Sequence, residues 1–240
     1  MGAKKHAVPY NMVNAIKALP RWIEFCLVIT ICFGLFIYTS LAVLVKAPAS
    51  FVHDNAAGLA IVAFELVAAV LALVVLRWRG WPLPRTFTVR ITWRSTALGV
   101  VVIACIYYGY MLVFNAAVTG PGAGALPGPS YANVMSLGVL LLVSVINPLF
   151  EEVFVSGYIM TALRGRGVFV ALVASVLIRT SYHLYRGVPG ILLMVPLGLS
   201  FGVIYWRSRN LWPLVVAHGL LDFIPTGLAG LASLATLLPG

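Results

Sequence analysis

Glu151 and Glu152 stand side by side in the run Asn147-Pro-Leu-Phe-Glu-Glu-Val-Phe-Val-Ser-Gly-Tyr158, inside a long apolar stretch. The chain has only six acidic residues: Glu24, Asp54, Glu65, Glu151, Glu152 and Asp222. Two histidines, His183 and His218, lie in later apolar runs, with Arg179 and Asp222 one helical turn from them. Carboxylate and imidazole together are the groups that move protons when water attacks a carbonyl: one takes the proton, another meets the developing charge. A charge at the bilayer centre costs about 2.5–3.5 kcal/mol on insertion scales, so such residues mark functional sites more often than packing contacts. A lone intramembrane acid can be a satisfied contact; a neighbouring pair with histidines and a third acid points to a site.

The surroundings of these residues set the fold class. The chain of 240 residues is 62% hydrophobic and 9% charged, whereas soluble domains carry about 25% charged residues. This composition predicts an all-α polytopic membrane protein of seven to eight transmembrane helices and excludes a soluble enzyme. The net charge of +10 comes from short basic clusters between apolar runs, the pattern of topology determinants and headgroup contacts rather than of nucleic-acid binding. Cys26, Cys32 and Cys105 all fall in apolar segments without CxxC or Cys/His spacing, and read as small packing residues.

Seven apolar runs follow in order: 22–45, 57–76 (with Glu65), 96–118, 133–163, 168–185, 191–206 and 211–223. The first is too long for a signal peptide despite the Ala47-Pro48-Ala49 that follows it. The fourth exceeds the roughly 20 residues a crossing needs, and Pro148 should kink or restart it. Residues 119–132 read as an irregular Gly/Pro-rich loop, Arg164–Gly167 as a tight turn, and 226–238 as a partial eighth span or an interfacial segment. Within one membrane domain, residues 1–132 form an N-terminal three-helix region, 133–226 the core and 227–240 a short apolar tail.

With the N-terminus cytoplasmic, thirteen of the sixteen basic residues fall on the inner side, leaving Lys46, Arg186 and the intramembrane Arg179,. Glu151 lies 13 residues before Arg164, His183 17 after Arg166, and His218 and Asp222 9 and 13 after Arg209. At about 1.5 Å per residue these are depths of roughly 20, 25, 14 and 20 Å, one middle band of the membrane. Faces agree with depth. Glu152 and Ser156, Arg179 and His183, and His218 and Asp222 are all i,i+4 pairs, so three helices each offer a one-turn polar pair. A hydrogen-bond network between helices is the alternative, although Ser, Thr and Asn would suit it better than three carboxylates, two histidines and an arginine.

Glu151-Glu152-x-x-x-Ser156, Arg179-x-x-x-His183 and His218-x-x-x-Asp222 resemble the three motifs of the CAAX-protease and bacteriocin-processing (CPBP, or Abi) family, EExxxR, FxxxH and HxxxN/D. The resemblance covers residues 133–226 and implies a membrane-embedded glutamic-type endopeptidase. It implies Glu151 as general base activating water with His183, His218 as oxyanion stabiliser, Asp222 orienting the His218 ring, and Glu152 positioning Glu151. Asn147 joins these as a supporting residue. Two positions depart from the pattern: Ser156 replaces the first motif's arginine, and Arg179 the second's phenylalanine. One guanidinium has in effect changed helices, which predicts an Arg179–Glu152 pair across the fourth and fifth spans.

No metal or other cofactor is expected, since carboxylate and imidazole suffice for acid–base hydrolysis and there is no HExxH. A zinc-dependent protease using the histidines and acids is the nearest rival; a non-catalytic binding or immunity protein on the same scaffold, and a proton-relaying transporter, are the others. The expected partners are a membrane-associated protein or peptide substrate and the lipid bilayer, and the expected location is a bacterial cytoplasmic membrane. Glu65 reads as a helix–helix contact, and Tyr182 as either a pocket or a packing residue.

Overall fold

The computed structural model describes residues 20–46, 50–119 and 130–235. Lys4, Lys5 and Lys17, most of the loop at 119–132 and the last five residues lie outside that description. Seven main helices follow the seven apolar runs: α1 Arg21–Lys46, α2 Asn55–Trp78, α3 Trp93–Thr119, α4 Leu137–Ala162, α5 Val168–Ser181, α6 Gly187–Ser208 and α7 Trp212–Ala235. Among the described residues, five stretches are long and apolar enough to cross a membrane: α1 to α4, and α6 with the 3-10 turn that precedes it. Val168–Ser181 and the part Trp212–Ile224 are shorter apolar helices. Val67, Val70, Val101 and Leu177 are each more than half exposed, as lipid-facing side chains must be. The chain is an integral, multi-pass membrane protein.

The all-α class stands, but two expectations need correction and one element is additional. Ser50–His53 (β1) and Ser130–Asn133 (β2) form a two-stranded parallel pair, Ser50 opposite Ser130 and His53 opposite Asn133. Parallel strands need a long crossover, and here α2 and α3 supply it, which sequence reading of an apparent loop could not reveal. The fifth helix stops at Ser181 instead of 185. Tyr182 and His183 form a turn, Leu184–Arg186 a 3-10 turn, and Gly187 (φ 65°) lets the chain reverse into α6,. The apolar tail is no separate segment either, since the α7 backbone stays helical through Ala235.

The helices alternate in direction, so their connections gather at two ends. At one end Arg79 meets Glu24, the Arg90 N–H donates to Asn210, the Leu211 N–H donates to Thr88, and Arg209 reaches Thr161. Ten of the basic residues belong to this end, from Arg21 to Arg209; it is the basic end. At the far end β1 pairs with β2, and the Tyr185 N–H donates to Ser40.

Helix α4 is the axis of the packing. On one side Phe150, Phe154 and Tyr158 pack with Val28, Phe33, Ala72 and Leu76 of α1 and α2. On the other, Met160 joins Ile103, Phe201 and Leu214 of α3, α6 and α7. These apolar contacts hold α4 from all sides, which matters because its backbone is irregular where the glutamates sit.

Candidate active site

The irregularity begins at Pro148. Proline has no N–H, so the Ser144 carbonyl loses its intrahelical donor. From Glu152 to Ile159 the helix is π-wound, a rare form that occurs mostly as short insertions in α-helices and frequently at functional sites. Helix α7 closes on the same place: a Cβ on Gly219 would stand 2.8 Å from the Ser144 carbonyl oxygen. Only glycine permits that approach, and the neighbouring residue, His218, is thereby carried against the glutamates.

Glu151 ends the α-helical part of α4 and Glu152 begins the π-wound part; both are buried, as are Arg179 and His218. The Arg179 guanidinium donates to both oxygens of Glu152 at 2.8 and 2.9 Å and to Glu151 Oε2 at 3.2 Å. Ser156 donates to Glu152 Oε2 at 2.5 Å. The guanidinium that the first motif lacks therefore reaches the carboxylates from α5. It also lies over the Phe201 ring, 5.5 Å from its centre. Gly198 of α6 keeps α5 close, since a Cβ there would meet Val176 at 3.2 Å and the Arg179 Cδ at 3.6 Å.

His218 meets the pair from α7. Its Nδ1 lies 2.8 Å from Glu152 Oε1, and its Nε2 lies 3.9 Å from Glu151 Oε2 and 3.7 Å from Asp222 Oδ2. The ring thus donates from Nδ1 to Glu152, and not to Asp222, which the sequence suggested would orient it. The i,i+4 spacing puts Asp222 beside Nε2, beyond hydrogen-bond reach, and its Oδ2 is buried without a hydrogen-bond partner. Asn147 donates to Glu151 Oε1 at 3.2 Å.

His183 is placed differently. Two residues past the end of α5, its Nδ1 donates to the Arg179 carbonyl at 3.0 Å, which leaves Nε2 of a neutral ring as an acceptor. It lines, with Glu151, Asn147 and Asp222, a cavity of about 810 Å³. Elsewhere the cavity is walled by apolar side chains, among them Phe36, Ile61, Phe64 and Leu140.

Two members of the constellation were not recognised in the sequence. Tyr182 donates its hydroxyl to Glu151 Oε2 at 2.5 Å while its ring stacks on Phe33 of α1. Glu65, wholly buried on α2, accepts from the same Asn147 amide at 2.8 Å, so one asparagine joins two acids. Glu65 is one of six acids and lies midway along its helix, at the depth of Glu151; that was the available signal.

Glu151, Glu152 and His218 present donor atoms within 4.8 Å of one another, a grouping that could hold a metal ion. The donor set fits a cation poorly, because both Glu152 oxygens already face the Arg179 guanidinium and His218 Nδ1 faces Glu152. A divalent ion would have to share its ligands with a fixed positive charge.

No curated protein and no solved structure matches the chain. Residues 133–224 match a family model described as type II CAAX prenyl endopeptidase, Rce1-like, a family of proteases. The matched segment takes in all three motif pairs, Glu152 with Ser156, Arg179 with His183 and His218 with Asp222, so the likeness to that family lies where the buried cluster is.

Proposed function

We propose that the protein is an intramembrane endopeptidase that hydrolyses a peptide bond of a membrane-associated protein or peptide with a glutamate-activated water. One observation carries this reading: Glu151 sits at the inner limit of a large, mostly apolar cavity, held by Tyr182, Asn147 and Arg179, with a histidine close by. A base needs such fixed orientation, and an apolar cavity suits an apolar polypeptide segment.

In this mechanism Glu151 takes a proton from water at the cavity's inner end, assisted by His183 through Nε2. The hydroxide attacks the carbonyl carbon, and His218, protonated on both nitrogens, donates from Nε2 to the oxyanion. The proton held by Glu151 then passes to the leaving amine. Glu152 is a positioning residue: paired with Arg179 and Ser156, it fixes the His218 ring through Nδ1. Asp222 stands beside Nε2, 3.7 Å away, on the side where the oxyanion would form. Glu65 acts through Asn147 to set the direction of Glu151 Oε1.

A zinc-dependent protease is the second reading, favoured by the close donor atoms of Glu151, Glu152 and His218. Cleavage of a quenched fluorescent peptide library by detergent-purified protein separates the two, using wild type, Glu151→Gln and His218→Ala with and without chelator. Chelator-resistant cleavage lost in both variants is the expected result. Chelator-sensitive cleavage restored by zinc would move the assignment to a metalloprotease. No cleavage by folded wild type, with substrates drawn from its own membrane, would favour a binding protein on this scaffold.

A further inference from the structure

The cavity lies in one half of the molecule only. Its walls come from the second half of α1 (Leu35 to Lys46), the first turns of α2 (Ala57 to Phe64), the second half of α3 and the start of α4. It runs outward from Glu151 and Asp222 to Lys46, His53, Asn133 and Arg186, which belong to the far-end connections. Lys46 is exposed, so the cavity reaches the surface there. Among the described residues, none from the loops at 79–94, 163–167 or 207–211 contributes to its lining.

The two ends differ sharply in charge. Of the thirteen described basic residues, ten belong to the basic end, Arg179 is at the site, and only Lys46 and Arg186 lie at the far end. The mouth carries little further charge: burial first, and the neighbouring Arg186 second, push His53 down to about 4, so it is neutral near pH 7. Lys and Arg in short connecting loops are retained on the cytoplasmic side. All the loops of the basic end are short, and side-chain and backbone contacts gather them at one surface. Opposite that surface lies the mouth.

From this asymmetry we infer that the site is reached from the non-cytoplasmic face, and that its substrate is a membrane-tethered polypeptide whose scissile bond lies on that side. The substrate half of this inference rests on the peptidase reading above; the direction of access does not. A polypeptide confined to the cytoplasmic surface would meet the closed, arginine-rich end of the molecule. Between that end and Glu151 lie the packed π-wound part of α4 and the buried side chains around it.

The test uses the whole chain in cells, with Cys26, Cys32 and Cys105 changed to Ala. Single cysteines are introduced as Lys46→Cys at the mouth, Ala60→Cys a turn inside the cavity, and Arg166→Cys at the basic end. Monodisperse elution and a cooperative thermal unfolding transition of each purified variant in detergent report that it is folded. A membrane-impermeant maleimide should label Lys46→Cys and Ala60→Cys in intact cells, and Arg166→Cys only after permeabilisation. Labelling of Arg166→Cys alone in intact cells would overturn the inference, as would Ala60→Cys reacting only after permeabilisation. In proteoliposomes oriented by the same labelling, quenched peptide supplied on the Lys46 side should be cleaved, and peptide on the Arg166 side should not. Cleavage only from the Arg166 side would overturn it too. Cleavage from neither side, with Lys46→Cys and Ala60→Cys labelled from outside, would retain the direction of access and remove the peptidase reading.

Discussion

Two buried acid–arginine clusters sit in this molecule, and they are built to different ends. At the basic end Glu24 faces Arg79 Nε at 2.5 Å and Trp81 Nε1 at 2.7 Å, with the Tyr158 hydroxyl at 3.4 Å. One carboxylate meets one guanidinium, both its oxygens are engaged, and none of these residues lines the large cavity. At the centre, two carboxylates share Arg179, a histidine and a third acid crowd in, and a large cavity reaches the group. There Arg179 Nε, Asp222 Oδ2 and Glu65 Oε2 are buried without hydrogen-bond partners. Buried polar groups are normally satisfied, so the first cluster is a fastening between α1 and the loop after α2. The second holds more charge than folding needs. Acid beside arginine is therefore no sign of a site by itself; the excess and the cavity are.

Replacing the two arginines should separate the clusters most widely. Arg179→Leu leaves two carboxylates buried without their cation, a loss of about 3–5 kcal/mol when one partner of a buried pair is removed. Thermal unfolding in detergent should show that loss together with loss of cleavage. Arg79→Leu leaves Glu24 with its Trp81 and Tyr158 donors, so a smaller cost of about 1–3 kcal/mol is expected, with the turnover of folded protein unchanged. If Arg179→Leu left both folding and activity intact, the pairing would carry no weight.

Backbone fit is the next largest effect. Gly219→Ala puts a methyl group 2.8 Å from the Ser144 carbonyl oxygen, an overpacking strain of about 1–3 kcal/mol. Because α7 must back away from α4, peptide turnover should fall more than melting temperature suggests. An unchanged turnover would show that His218 does not depend on that close approach. The smallest change is Tyr182→Phe, which removes one hydrogen bond to Glu151, a net effect of about 0.5–1.5 kcal/mol. It should lower kcat by up to about tenfold with KM and stability nearly constant; a rise in KM alone would make Tyr182 a wall of the cavity.

The His218–Asp222 pair was legible in the sequence because i,i+4 spacing is a local property of a helix, and depth can be counted from the basic turns; Arg179 and His183 do not share a helix, because α5 ends at Ser181. The Arg179–Glu152 pair was legible for a different reason: a buried carboxylate needs a cation, and one guanidinium was missing from one helix and present on the next. Glu65 and Tyr182 were not read as site residues, because their contacts depend on which helices are neighbours, and hydropathy does not order helices in space. The β1–β2 pair was hidden for the same reason, being a contact between two connections about eighty residues apart. The early end of α5 escaped because Tyr182 to Tyr185 continue its apolar pattern, while Gly187, which lets the chain turn back, comes only after them.

The most direct test compares single-turnover cleavage of a quenched peptide by Glu151→Gln and Glu24→Gln at matched folded fractions. Glutamine keeps the shape of each acid and removes its basicity. General-base catalysis is worth about 10²–10⁴-fold, so Glu151→Gln should lose at least that much while Glu24→Gln cleaves like wild type. Wild-type cleavage by folded Glu151→Gln would contradict the account at its centre.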